Sequence, residues 1–217
     1  MQCCQCQGIE LEFNRKAAAA ELRQFRSHGP AKTTRMLIDA LKTERIEGLT
    51  LLDIGGGVGA IQHELLKAGV SKTTNVEASS AYIDAAKAEA ERLGHRDRVS
   101  HHHGDFIHLA PEIIPADIVT LDRVVCCYPD MPALVGLSSA RAKKLYGLVY
   151  PRDTWWNHAG LGILNLVRWL RRNPFRAFVH RPEAVDATIR ANGLERRFYH
   201  QTFVWLVVVY ARPSALC

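Results

Sequence analysis

An α/β fold, with a doubly wound and mostly parallel sheet that ends in an antiparallel strand at the C-terminus, is what this sequence predicts. Three observations predict it. Between Thr50 and Ala60 an apolar run ends in Asp53 and breaks into Gly55, Gly56, Gly57 and Gly59, and helical spacing begins at Ile61. That order reads as strand, tight turn and helix, the layout of a nucleotide cradle. Acidic residues at Asp53, Glu77 and Asp105 lie at the ends of three successive strand-like runs, where the switch-point rule gathers them in one crevice. The chain closes on the alternating, apolar stretch FVWLVVVYA, which suits paired strands at the far side of a sheet.

The elements follow in order. MQCCQCQGIE places Cys3, Cys4 and Cys6 too close together for a spaced zinc site, so it reads as a mobile or redox-sensitive tail and no metal is expected. Ala17 to Phe25 and Thr33 to Leu41 are helical, with Gly29-Pro30 between them, and form a cap over the sheet edge. After the glycine loop, Ile61 to Ala68 makes the first crossover helix and Gly69 its stop. Thr73 to Glu77 is the second strand, with Glu77 placed to accept from ribose hydroxyls and Ala78 beside it. Ser79 and Ser80 cap the alanine-rich helix that Gly94 ends.

Arg98 to Phe106 is a third strand running into a turn. Its adjacent histidines point to alternate faces, so at most His101 and His103 share a side. The fourth strand, Ile118 to Leu121, leads into a loop with Asp122, Arg123, Cys126, Cys127 and Tyr128, and LYGLVYP from Leu145 is the fifth. Trp155 to Phe178 reads as a helix with a wide oily face and a basic end in Arg168, Arg171, Arg172 and Arg176. Three uses suit it: a lid over an apolar or aromatic anionic substrate, a core helix, or an interfacial anchor. Glu183 to Asn192 is the last helix, with Gly193 as its stop.

The loop's glycines alone also satisfy a dinucleotide pattern, Gly55-x-Gly57-x-x-Ala60. With Asp53 in front, the D-x-G-x-G-x-G order resembles motif I of the class I S-adenosylmethionine (SAM) dependent methyltransferases. A carboxylate there suits a cofactor with a cationic amino-acid end and would repel a pyrophosphate. Gly104-Asp105-Phe106 is similar to that family's adenine segment, in which the acid accepts from the amino group and the next residue packs on the ring. Leu121, Asp122, Tyr128 and Pro129 resemble, with one extra residue, the L-D-V-L-I-H-Y-P stretch of magnesium-protoporphyrin O-methyltransferases. Pro151-x-x-Thr154-Trp155-Trp156, His180-Arg181-Pro182-Glu183, Phe13-Asn14 and the closing Tyr199 to Ala211 hairpin agree with the same family. Two positions depart from it: Cys127 stands where the family has His, and Glu12 where it has Tyr. Both would bear on how a porphyrin carboxyl is held.

The resemblance implies a SAM-dependent methyltransferase acting on a small, anionic or aromatic molecule, with O-methylation favoured. Its cofactor residues would be Asp53, Gly55, Gly56, Gly57, Gly59, Glu77, Ala78, Gly104, Asp105, Phe106, Asp122 and Arg123. A carboxylate acceptor needs no general base, whereas for a phenol or alcohol Tyr128, Asp122 or His158 would take the proton. Three other readings stay open: a thiol or metalloid methyltransferase using the cysteines, a nicotinamide-dependent oxidoreductase, and a SAM-binding regulator without catalysis.

The whole chain, 1–217, is expected to be one domain. Within it 1–45 is tail and cap helices, 50–150 the cofactor core, 152–180 the lid insertion, and 181–212 the last helix and hairpin. A composition of 47% hydrophobic and 23% charged residues is ordinary for a globular chain, and the formal charge of +6 does not select a partner class. The base-methylating tetrapeptide N/D-P-P-Y is absent after the fourth strand, so nucleic acid is not expected as a partner. No apolar run approaches the roughly 18 to 20 residues of a membrane span, and no signal-peptide segment opens the chain. The expected location is cytoplasmic, with 155–178 as the segment for a peripheral contact at the inner membrane surface.

Overall fold

The computed structural model describes residues 4–213. Helices α1 (Cys4–Glu12), α2 (Arg15–His28) and α3 (Lys32–Lys42) precede β1 (Thr50–Ile54). Then come α4 (Ala60–Lys67), β2 (Lys72–Glu77), α5 (Ser80–Arg92), β3 (Val99–His103), the short α6 (Phe106–Leu109) and β4 (Ala116–Asp122). The chain continues through α7 (Met131–Ala140), β5 (Ala142–Pro151), α8 (Trp155–Leu170), α9 (Pro182–Ala191), β6 (Glu195–Gln201) and β7 (Trp205–Ala211).

The strands form one seven-stranded sheet in the order β3-β2-β1-β4-β5-β7-β6, with β7 antiparallel to both neighbours. Chain order reverses between β1 and β4, so the loops leaving those two strands lie side by side. Side chains alternate across the sheet as the pleat requires. Leu51 packs with Leu37 and Leu41 of α3 and Leu65 of α4, whereas Leu52 packs on the other face, in the core that includes Leu134 of α7 and Val185 of α9. Both faces are therefore dry, which is why the central strands are apolar throughout. At Gly147 a Cβ would lie 2.8 Å from Leu37 Cδ1, so this glycine lets α3 sit directly on β5.

Three local expectations change. The segment read as a tail forms α1 from Cys4 onward; Cys3 lies outside the described residues. α1 is held in place by Gln5, whose Nε2 donates to the Cys127 carbonyl at 2.7 Å and to the Arg176 carbonyl at 2.8 Å. The oily helix stops at Leu170 rather than Phe178, because Arg172 turns left-handed (φ 55°) and Pro174 disfavours helix at Asn173. A further helix, α7, stands between β4 and β5, and Asp130 caps it by accepting from the Ala133 N–H at 3.0 Å. Among the described residues no helix is long and apolar enough to cross a membrane.

The cap helices are fastened by charge. Glu89 of α5 is buried, and Arg26 of α2 and Arg92 both donate to it, at 2.7 and 2.6 Å. Those guanidinium hydrogen bonds hold its carboxyl down at about 2.

Candidate active site

The glycine loop owes its shape to β1 and β2. Gly55 leaves β1 with φ +64°, and its N–H donates to the Val76 carbonyl at 2.7 Å. A Cβ there would lie 2.3 Å from Val124 Cγ2, so the loops after β1 and β4 approach as closely as they do only because the residue is glycine. Gly57, at φ +56°, donates its N–H to Glu77 Oε2 at 3.1 Å, while Glu77 Oε1 accepts from the Ser79 N–H at 2.9 Å. One carboxylate thus clamps the turn after β1 to the turn after β2. Burial raises the Glu77 pKa, and the backbone hydrogen bonds pull it back down.

Beneath the loop lies Asp53, 1% exposed. Thr120 Oγ1 donates to its Oδ1 at 2.6 Å and Gln62 Nε2 to its Oδ2 at 3.0 Å. Burial pushes its pKa up to about 7 against those two hydrogen bonds. Near neutral pH the group thus stands between its charged and neutral forms, and it borders the smaller of the two cavities that open above the sheet. Asp53 props the floor under Gly56, where a Cβ would come within 2.7 Å of its Oδ2.

Two cavities open above the sheet, of about 260 and 370 Å³, and both are bordered by Gly55, Gly57, Glu21, Asp122 and Arg123. They are two ends of one cleft, divided at Asp122 and Arg123. Thr34 Oγ1 donates to Asp122 Oδ2 at 2.5 Å, and Arg123 Nε to Asp122 Oδ1 at 3.1 Å. The smaller end is roofed by α2 and reaches Asp53 and Gly56. The larger end holds Glu77, Ala78, Gly104 and Phe106 at one wall, and Cys126, Cys127 and Tyr128 at another. Phe13, Leu161, Leu164 and Phe175 make that end apolar, and Arg168 sits among them, paired with Glu12 at 2.6 Å.

The structure therefore gathers most of the expected residues, though three stand apart from the lining. Gly59 is the left-handed N-cap of α4. Asp105 is reached through Tyr128, whose hydroxyl donates to Asp105 Oδ1 at 2.5 Å. His158 is not brought to the cleft: it sits exposed in the first turn of α8, its Nε2 2.7 Å from Asp153 Oδ1. Glu21 and Thr34 belong to the lining and carried no motif signal, and Arg168, expected only as part of the basic end of the oily helix, lines it too. Helical spacing in α2, α3 and α8 was the available clue, and it does not say which face meets a ligand.

A family model described as an O-methyltransferase domain matches residues 5–138. The chain belongs to that family. The O-methyltransferase fold is also what solved structures show. Magnesium protoporphyrin IX methyltransferase from Synechocystis PCC 6803, with bound SAH (S-adenosylhomocysteine), superimposes with a TM-score of 0.73 at 18% identity, over 96% of this chain and 100% of that one. An O-methyltransferase family protein from Burkholderia thailandensis gives 0.70 at 14% identity, over 96% and 64%. In sequence, the ubiquinone biosynthesis O-methyltransferase of Paramagnetospirillum magneticum is 29% identical over 161 residues, 70% of this chain and 61% of that protein. The ribosomal protein L11 methyltransferase of Shewanella woodyi is 32% identical over 72 residues, 33% and 25%. The chain thus spans less than two thirds of the length of either curated relative.

Within this O-methyltransferase domain the loop after β4 carries the reactive groups nearest the apolar end. Cys126 and Cys127 both direct their thiols at the Arg123 carbonyl, at 3.3 and 3.6 Å. A hydrogen bond from Cys127 lowers the pKa of Cys126 and raises that of Cys127. The left-handed Arg123 (φ 61°) makes this convergence, by turning the chain sharply as it leaves β4.

Proposed function

We propose that this chain is a SAM-dependent methyltransferase that places a methyl group on an oxygen of a small apolar or aromatic acid. One observation carries the reading: the Gly55–Gly57 turn, clamped by Glu77, opens onto an apolar cavity of about 370 Å³. SAM, when bound, supplies a methyl group already activated by the sulfonium. The residues present fit it, since the cradle exists only without side chains at Gly55 and Gly57 and its far wall is apolar. Glu77 would take the ribose hydroxyls, and Ala78, Gly104 and Phe106 the adenine. Arg123 would take the amino-acid carboxylate, and Asp122 and Glu21 its ammonium.

The chain's own task is alignment, with the acceptor oxygen held in line behind the methyl group and water kept out by Phe13, Leu161 and Phe175. For an acceptor that must lose a proton, Tyr128 is the group in place. Its hydroxyl already donates to Asp105, so it takes the acceptor's proton while passing its own on. Tyr128→Phe is expected to lower kcat for phenolic acceptors by about 100-fold and to leave carboxylate acceptors within about threefold. Parallel rate measurements on the two acceptor types check this; equal losses on both would remove the relay.

The direct test is titration calorimetry with SAH, followed by a screen of aromatic acids, phenols and thiols for SAH release. Binding and turnover on an oxygen acceptor are the expected results. Absence of heat with SAM and SAH, with binding of a nicotinamide nucleotide, would overturn the proposal, and binding without turnover on any acceptor would leave a regulator. A thiol or metalloid acceptor is the second reading, favoured by the two thiols that line the cavity. Turnover confined to the thiol arm of the screen would decide for it.

A further inference from the structure

α8 is built inside out. An amphipathic helix on a soluble domain turns its apolar stripe inward and its polar face to water. Here Asn157, Asn165 and Arg168 face the protein, while His158 in the first turn is exposed. Asn157, its single buried residue, donates to the Arg152 and Val204 carbonyls at 2.9 Å each. Asn165 exchanges hydrogen bonds with the backbone of Ala177, and Arg168 pairs with Glu12. Outward stand Trp155 (77% exposed), Ile163 (64%), Leu166 (55%), Trp169 (62%) and Leu170 (67%). Phe203, 72% exposed at the β6–β7 turn, extends the face by stacking on Trp156 at 5.1 Å. An apolar patch of this size on a soluble chain marks an interaction surface.

The charge around it identifies the partner. From Thr154 to Pro182 the sequence holds five arginines and no aspartate or glutamate. Arg171 and Arg172, at the C-terminal end of α8, are exposed, as is Arg181 at the start of α9. A second copy of the chain docked face to face would bring these arginines together with no acid in the segment to meet them. A bilayer rich in anionic headgroups meets both features at once, apolar side chains entering the acyl boundary and arginines the phosphates. Tryptophans at both ends of the helix suit the headgroup level. With 16 residues α8 is about 24 Å long, too short to span the hydrocarbon, so it lies in the plane of the surface.

We propose that α8, with Phe203, docks this domain on an anionic membrane surface, and that the acceptor is an apolar acid drawn from that membrane into the larger cavity. The second clause rests on the methyl-transfer reading. Its structural basis is Leu164, which is 49% exposed yet lines the cavity, so the wall of the acceptor site and the docking face share one helix.

Flotation of the full chain with vesicles tests this, using phosphatidylcholine alone or with phosphatidylglycerol, at low and high salt. The parent chain is expected to float with the anionic vesicles, less so as salt rises. Ile163→Glu and Trp169→Glu, both outside the cavity lining, should each lower the bound fraction at least tenfold with SAH affinity unchanged. Failure of the parent to float on any vesicle, or flotation of the variants like the parent, would overturn the docking. So would light scattering that shows a dimer which Ile163→Glu converts to monomer; that outcome assigns the face to a second copy. Vesicle binding without SAH binding would keep the docking and remove the methyl-transfer reading instead.

Discussion

Replacing Glu77 with glutamine is expected to weaken SAH binding by about 100-fold while the domain stays folded. Two losses add. The carboxylate now gives one oxygen to the Gly57 N–H and the other to the Ser79 N–H. Glutamine has a single oxygen, so its amide nitrogen faces one of those donors, and the clamp between the two turns loses one of its two bonds. On the role proposed for Glu77, the ribose hydroxyls would at the same time lose a charged acceptor. A hydrogen bond to a charged group contributes roughly 1.5 to 3 kcal/mol. Two such losses at the lower end of that range, about 3 kcal/mol together, are slightly more than a factor of 100 in affinity. Calorimetry with SAH gives the affinity and circular dichroism the fold. Unchanged affinity would take Glu77 out of the ligand's reach and leave it a purely structural clamp.

What the sequence made legible is the part of the site in which backbone geometry and residue type are locked together. Gly55 and Gly57 carry positive φ, and a Cβ on Gly55 would strike Val124, so a run of glycines after a strand could mean little else. Glu77 was found by its distance along a β-α-β unit, and the sheet order places it beside the loop as that distance implies. Asp53 was legible from its place before the glycines, and it borders the smaller cavity. The motif shows a carboxyl group but not that Thr120, from a strand 67 residues later, donates to it. The apolar end of the cavity was legible only in part: a lid was one reading of the oily helix, and Cys126, Cys127 and Tyr128 were candidates, but not the side chains that close it. Phe13, Arg168 and Phe175 meet there through long-range packing of α1, α8 and the segment after it, which leaves no local pattern. His158 failed for a related reason: a histidine near the lid was assumed to face inward, and the N-terminal turn of α8 points it at Asp153. Helix α7 follows a helix-start signal, Asp130 with Pro132, but Gly136, Ser138 and Ser139 weaken its helical spacing.

The role assigned to Asp53 predicts a reversal in how an amide substitute behaves with pH. In the folded chain its pKa stands near 7, whereas an unfolded aspartate titrates near 3.8. Between those values the folded state holds a proton that the unfolded state has released, so this residue's contribution to stability falls as pH rises from about 4 to about 7. A shift of that size corresponds to something on the order of 4 kcal/mol, lost in full only above pH 7. An asparagine side chain in its place would carry no such penalty. The amide oxygen can accept from Thr120, and once the Gln62 amide turns over, the amide nitrogen can donate to Gln62 Oε1, a buried atom that has no hydrogen-bond partner with Asp53 in place. Asp53→Asn is therefore expected to be no more stable than the parent at pH 5 and more stable at pH 8, by roughly 1 to 3 kcal/mol once relaxation of the site is allowed for. Urea unfolding of parent and variant at both pH values isolates the effect, since His63 and Glu89, which titrate in the opposite sense, are common to both chains. A stability difference that stays flat between pH 5 and pH 8 would show that Asp53 keeps its charge beneath the loop, and would return it to the ligand-facing role that its place in the motif first implied.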